Sequence, residues 1–385
     1  MSFTLAVSIR KNKPPRNIGI IAAGGVRSGA LNKNGKVFSW GFNGQGGGGY
    51  NSLTNVSTPV AIAGLNKTFC KIDYSGSLTG YGIDKNGRAW AWGGNAFGQL
   101  GDNSTVSKLT PVSVLGAVKT FCEIITGGGG NGTYALALDK YGRAWGWGAN
   151  STGNLGDNTI TQRNTPVSVL GAVKTFCYIN SGGGNGSDFF GVALDKYGRA
   201  WAWGSSANGQ LGDNSAVSKR TPVSVQGAVK TFCWINAGGA HVLALDKNGR
   251  LWAWGINTNG QLGDNSVTQR NTPVSVLGAV KTFCQIVAGK NPFQGFSCAI
   301  DKYGRLWAWG YNSDGAVGDN TTTQRNTPVS VVGVVKTFCR ISAGGSHVVA
   351  LDKNGNTWAW GFNNSGQLGH NTVSGKLTPT RVCNI

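Results

Sequence analysis

Lys230-Thr-Phe-Cys-Trp-Ile-Asn-Ala-Gly-Gly239, then His241-Val-Leu-Ala-Leu-Asp-Lys-Asn-Gly-Arg-Leu-Trp-Ala-Trp-Gly255, then Gln261-Leu-Gly-Asp-Asn265 and Thr272-Pro-Val-Ser-Val276 are the runs that decide the fold. In the second run Asn-Gly separates two apolar stretches. Both central residues of such a turn must accept positive φ, so the run is a β-hairpin. Trp252 and Trp254 lie two apart and therefore share one face of their strand. Together the runs contain four short strands, and no helical period with caps competes with them.

The same pattern recurs along the chain. Trp-Gly stands at Trp40, Trp92, Trp147, Trp203, Trp254, Trp309 and Trp360, and each is followed at a fixed offset by the Pro of a Thr-Pro pair, Pro59, Pro111, Pro166, Pro222, Pro273, Pro328 and Pro379. These are internal repeats of one supersecondary unit. Gly supplies 63 of the 385 residues, more than twice the usual ~7%. The chain is turn-rich, yet its 14 Trp and 15 Phe are more apolar mass than a solvated chain carries. A three-residue Gly period is absent, which excludes collagen. No apolar run approaches the ~20 residues of a membrane helix, and no secretory signal is recognisable at the start.

Four strands per unit and seven units predict an all-β, seven-bladed β-propeller of four-stranded antiparallel blades, its ring closed between the N- and C-termini. The pattern Ala-Gly-Gly-x-His, Ala-Leu-Asp, Asn-Gly-Arg-x-Trp-x-Trp-Gly, Gly-Gln-Leu-Gly-Asp-Asn resembles the repeat of the regulator of chromosome condensation family. That resemblance covers about residues 18–385 and implies the same fold. It specifies function weakly, because such propellers serve as exchange factors, chromatin binders, enzyme inhibitors and scaffolds. In the first repeat, Gly44–Gly49 has lost the Gln-Leu-Gly-Asp-Asn run.

Residues 18–385 are thus expected to form a single propeller. Residues 1–17 form an extension in which Phe3, Leu5, Val7 and Ile9 alternate with Thr4, Ala6, Ser8 and Arg10, the period of one extra strand. It either covers a blade edge or pairs with a second copy of the chain. Cys383-Asn-Ile385 aligns with the Cys-x-Ile of other repeats and Gly19-Ile-Ile21 fills the same slot, so the ring is expected to be cut at that strand.

Candidate chemistry is sparse. Cys70, Cys122, Cys177, Cys233, Cys284, Cys339 and Cys383 read as one small buried residue per Phe-Cys-x-Ile strand, unpaired and unreactive in a reducing compartment. Cys298 stands off the repeat. No Cys-x-x-Cys occurs, and no metal site or cofactor is expected. His241 and His347 share a repeat position and read as hydrogen-bonded structural residues. Glu123 is the only glutamate, and eleven of fourteen aspartates are repeat turn positions whose hydrogen bonding explains them. Gly127–Gly130 lacks a following Gly-Lys-Ser/Thr and a helix, so it is not a phosphate loop. No catalytic residue and no enzymatic activity are expected.

The formal charge is +20. In an antiparallel meander the Asp-Lys-x-Gly-Arg hairpins and the Val-Lys-Thr crossovers emerge on one face, which collects 19 basic residues against six aspartates. Lys85, Arg88, Lys140, Arg143, Lys196, Arg199, Lys247, Arg250, Lys302 and Arg305 are the candidate contacts there for a polyanion. The competing reading is a ring of solvated tips. The opposite face carries the loops after Ala-Gly-Gly, where every length change between repeats falls, and loop variation on a rigid scaffold is how propellers acquire specificity. Asn131, Asp188, Phe189, Phe190, Lys290, Phe293, Gln294 and Phe296 lie there as candidate partner contacts. The aromatics among them are either local plugs or anchors.

The sequence is therefore expected to encode a non-enzymatic propeller that binds another protein or builds an assembly. Scarce glutamate and abundant Gly, Asn and Thr are compatible with a particle-borne or surface role, for example as a virion component. The alternative implied by the family is a guanine-nucleotide exchange factor-like protein acting on a small GTPase, with chromatin or nucleic-acid contact.

Overall fold

The computed structural model describes residues 19–64, 67–74, 78–116, 120–129, 132–171, 175–184, 188–227, 231–278, 282–333 and 337–383. They form 28 strands in seven four-stranded sheets, each built from four consecutive strands in simple meander order. Blade 5 is representative, with strands Phe232–Ala237, His241–Asp246, Leu251–Gly255 and Arg270–Ser275 paired antiparallel in turn. First strands of successive blades pack against one another around the axis. The predicted architecture is the one observed. The proposed extra strand in residues 1–17 lies outside the described residues.

Seven apolar clusters fill the interfaces between adjacent blades, one per interface. The second Trp of each Trp-x-Trp-Gly is at their centre and fully buried. Its Nε1 donates to a backbone carbonyl of the preceding blade's turn at 2.9–3.1 Å, from Trp92 to Gly47 through Trp309 to Gln261, and from Trp40 across the closure to Gln367. The first Trp of each pair is only half-buried. Its Nε1 reaches the hairpin aspartate instead, as Trp252 does to Asp246 Oδ2. The two residues share a face, as expected, but do different work.

A second belt joins the blades. The Asn of each Gly-Asp-Asn sits at φ 56–63°, and its N–H bonds the fourth strand of the next blade. Asn tolerates this left-handed conformation better than other side chains. The first repeat keeps the device despite its altered letters. Asn51 has φ 56° and donates to Leu109 O, while Gly46 and Gly49 take the positive φ of the standard turn.

Closure differs from the expectation in one respect. Ile20–Ala23 is the first strand of blade 1, but Cys383 does not occupy a first-strand slot. Its N–H donates to Gly369 O just as that of Leu277 donates to Gly263 O, so Cys383 follows the fourth strand of its blade. The Cys-Asn-Ile letters imitate the first-strand motif, whereas the fixed offset from Pro379 places them after strand four. Blades 7 and 1 are joined by Trp40–Gln367, Ser28–His347 and Ala23–Ser342 bonds.

The cysteines depart from expectation too. In blades 2 to 7 the strand starts with a β-bulge, and the bulged residue is the cysteine: Phe232 pairs with Asp246 and Trp234 with Leu245, leaving Cys233 over. A bulge turns its extra side chain out of the alternation. Cys70, Cys122, Cys177 and Cys284 are consequently exposed and Cys233, Cys339 and Cys383 partly so, while Cys298 alone is buried. Each bulge thiol lies 3.2–3.4 Å from the carbonyl of its hairpin aspartate. Burial of the sulfur raises the pKa of Cys70, Cys122 and Cys284, and that of Cys233 to about 11. Thiolate is scarce, but access is open. With a disulfide reagent at mildly alkaline pH, Cys70, Cys122, Cys177 and Cys284 should react without denaturant, slower than a free thiol, and Cys298 only on unfolding. Mass mapping that finds all eight protected in the folded protein would contradict this exposure.

Candidate interaction surfaces

One register position near the start of the second strand is the key to the loop face. Register places Arg27, Thr79, Tyr134, Phe190, His241, Phe296 and His347 at this one position, each opposite the Gly of a Trp-Gly. All are buried. Phe190 and Phe296 are therefore strand residues in the blade interfaces and not loop aromatics. Phe189 is also inside, 1% exposed, with its ring 5.7 Å from that of Tyr134. Three of the four predicted anchor aromatics are plugs. His241 and His347 donate from Nε2 to Ser297 and Ser28, whose hydroxyls donate to the carbonyls of Gln261 and Gln367.

The remaining candidates gather around the blade 6 insertion. Lys290 is buried, and its ammonium donates to Ser181 O at 3.1 Å and Ala237 O at 2.8 Å, on the inner strands of blades 4 and 5. Its own N–H bonds Gly344 O of blade 7. Burial pulls its pKa down to about 8, and the carboxylate of Asp73 offsets this only in part. Lys290 is thus a pin and not a surface contact. Gln294 bonds Tyr311, Asn291 and Ser346, and Asn259 Nδ2 holds Phe293 O at 2.8 Å. The turn so fixed presents one side chain outward: Phe293, 73% exposed. Asp188, on the blade 4 insertion, accepts from Ser205 and Asn208. Gly184 of that insertion meets Pro292 and Lys290 so closely that no Cβ would fit, so the two insertions touch. Asn131 lies outside the described residues.

Around this hub runs a rim that the sequence reading missed. Val106, Ile160, Val217, Val267 and Val373 are each more than half exposed. Their signal was an aliphatic residue two or three places after the turn Asn, present in every repeat except the sixth, where threonines follow Asn320. Charges on this face cancel in pairs, Arg163–Asp157, Arg270–Asp264 and Arg325–Asp319 at 2.7–2.8 Å. In each pair the aspartate side chain is buried and the arginine half-buried, so the charges are neutralised within the turn.

On the hairpin face all ten predicted basic residues are exposed. Arg143, Arg199 and Arg305 clamp Asp139, Asp195 and Asp301 at 2.6–2.7 Å. Burial opposes ionisation of these carboxyls, but the bonds from Arg, the turn amides and Trp outweigh it and hold them below the usual range. Lys140, Lys196 and Lys302 lie 4.9 Å over the rings of Tyr141, Tyr197 and Tyr303 and make no ion pair among the described residues. Lys119, Lys174, Lys230, Lys281 and Lys336 of the crossovers lie outside those residues.

Seven meander blades stitched by buried Trp N–H groups define a repeat propeller whose functional surfaces are its two faces. Family models for the regulator of chromosome condensation (RCC1) repeat match residues 86–133, 197–245, 303–351 and 354–385, and a second model of that repeat matches 235–261 and 338–367. The chain belongs to the RCC1-repeat family. It is 32% identical over 270 residues to the mitochondrial RCC1 domain-containing protein RUG3 of Arabidopsis thaliana, covering 68% of this chain and 59% of that one. It is also 32% identical over 266 residues to the human E3 ubiquitin-protein ligase HERC2, covering 67% of this chain and 5% of the ligase. The chain thus spans less than two thirds of either relative. The structure of Prp20p from Saccharomyces cerevisiae, a protein described with binding to Gsp1p and histones, covers all of this chain and 91% of its own at TM-score 0.80 and 21% identity. That likeness establishes the fold.

Proposed function

We propose that the protein is a non-enzymatic binding propeller that engages another protein through its loop face, with Phe293 at the centre of contact. One observation carries the reading: a bare aromatic, 73% exposed, on a turn held from three sides. A large side chain presented without conformational freedom loses little entropy on binding, and such anchors dominate interface energy. The paired charges and the aliphatic rim supply a weakly charged surround. Prp20p, a structural neighbour, is described with protein partners, which agrees with protein recognition. The relatives lend no support to a virion role.

Phe293→Ala should weaken partner binding by about 2 kcal/mol, roughly thirtyfold, with the melting temperature unchanged. Affinity capture from the native source with both proteins as bait, followed by titration of the captured partner, measures it. Equal affinity for the two baits would move the interface elsewhere. The alternative, exchange-factor activity on a small GTPase with contact to chromatin or nucleic acid, draws on Gsp1p binding by Prp20p. In its favour here, the hairpin lysines Lys140, Lys196 and Lys302 make no ion pair among the described residues and suit a polyanion. Against it, the Trp-to-Pro spacing is the same in every repeat, and no blade carries a long projection among the described residues. A nucleotide-exchange assay separates the two readings.

A further inference from the structure

We infer that the axial well of the propeller, opening toward the hairpin face, is a binding site for a small organic anion that carries a flat ring. The repeat is nearly uniform, so the position at which it is least uniform is informative. That position is the x of Phe-Cys-x-Ile, directly after the bulge on the innermost strand. Register sets it at one level around the axis: Lys71 pairs with Ile83, Glu123 with Leu138, Tyr178 with Leu194, Trp234 with Leu245, Gln285 with Ile300 and Arg340 with Leu351. Six blades, six chemistries, all half-buried. Blade 1 adds Ile20, opposite Leu31. A scaffold position serving only the ring would repeat as the neighbouring Phe and Ile do.

The groups at this level are not equivalent. Lys71 and Glu123 form an ion pair with each other. The Gln285 amide is occupied by the backbone of Ile341. Arg340 has neither an ion pair nor a hydrogen bond to a protein group among the described residues, and its Nε is buried without a partner. Burial lowers its pKa with no carboxylate to offset it. A buried N–H without a partner is costly, and the planar fork of this half-buried guanidinium suits a carboxylate or a sulfonate. Tyr178 and Trp234 lie side by side, ring centroids 6.0 Å apart and planes 47° apart, an aromatic wall for a flat ring. At the loop-face end, Lys290 and Pro292 reach from blade 6 to the inner-strand ends of blades 4 and 5. At the opposite end, the hairpin turns join second and third strands, away from the axis. An aromatic pair and an unpartnered guanidinium at one level of the innermost strands are the groups that a small flat-ringed anion requires.

The test uses the full chain and two fluorescent probes, anilinonaphthalene sulfonate, a flat-ringed monoanion, and its neutral analogue phenylnaphthylamine. The sulfonate should bind at one site per chain and at least about tenfold more tightly than the neutral probe, the size of a charge-assisted contact. Arg340→Gln should weaken it by about tenfold or more, Trp234→Leu should weaken it as well, and Arg340→Lys should retain most of it. Replacing Lys140, Lys196 and Lys302 by Gln on the hairpin tips should leave it within about twofold, since exposed charges act weakly. Should Arg340→Gln fail to fold, the Arg340→Lys and Trp234→Leu pair decides. Equal binding of the two probes, several probes per chain, or binding indifferent to Arg340 and Trp234 but lost with the tip lysines would overturn the site.

Discussion

Trp40→Ala should lower the free energy of unfolding by about 3–5 kcal/mol, the cost of emptying a large aromatic from a packed core. Trp40 is fully buried at the interface of blades 7 and 1, and its Nε1 donates to Gln367 O at 2.9 Å. Substitution removes the ring from the cluster with Val349, Leu351, Leu368 and Val382. It also strips one donor from a buried carbonyl, which keeps only the Ser28 hydroxyl. This interface is special because the first strand of blade 1 and the fourth strand of blade 7 are the two ends of the strand order. Elsewhere the chain itself crosses from blade to blade and tethers what a substitution loosens. Trp40→Phe keeps most of the apolar volume and loses mainly the hydrogen bond, so it should cost only about 1–2 kcal/mol. Urea titration followed by circular dichroism gives both values. A loss below about 1 kcal/mol for the alanine variant would mean that closure rests on the Asn371–Ser57 and Ala23–Ser342 bonds instead.

What the sequence disclosed and what it hid follow one physical line. Blade number and strand order were readable because the residues that specify them, the hairpin Asp and Gly, the paired Trp and the Thr-Pro, recur at fixed offsets and act locally. The hidden features depend on register. Nothing in Phe-Cys-x-Ile announces a bulge, since its letters alternate as an ordinary strand does, yet one extra residue sends the thiol from core to solvent. Phe190 and Phe296 were misplaced for a related reason. Each stands at the junction of a variable loop and a strand, and only pairing with Gly204 and Gly310 assigns it to the strand. Phe293 was placed correctly because its loop contains Pro292 and has no strand alternation. The axial position escaped notice because variety at one slot reads as freedom until register shows that all seven copies stand at one level of the innermost strands.

Acidification should destabilise the protein well above the range in which carboxylates titrate. His241 and His347 are fully buried, and burial first of all, aided for His241 by the ammonium of Lys290, lowers their pKa from 6.5 to about 3 and about 4. Each is locked as the tautomer that donates from Nε2, because the serine facing it spends its own proton on a backbone carbonyl. A second proton would have to enter at Nδ1, which has no acceptor in hydrogen-bond geometry. Between pH 6.5 and about 4 the unfolded chain therefore binds protons that the folded chain refuses, and stability falls as pH falls. At about 1.4 kcal/mol per pH unit per group, the two histidines together remove roughly 4 kcal/mol between pH 8 and pH 5. The hairpin aspartates, held below their usual pKa, contribute a further loss only below about pH 4. The two effects are separable. His241→Gln combined with His347→Gln keeps a donor for Ser297 and Ser28 but no imidazole at either site, so its urea midpoint should fall much less from pH 8 to pH 5 than that of the parent, the remaining slope coming from His370, whose pKa burial also lowers. A parent protein equally stable at both values would show that the two imidazoles accept protons in the folded state, and hence that these interfaces open enough to admit water.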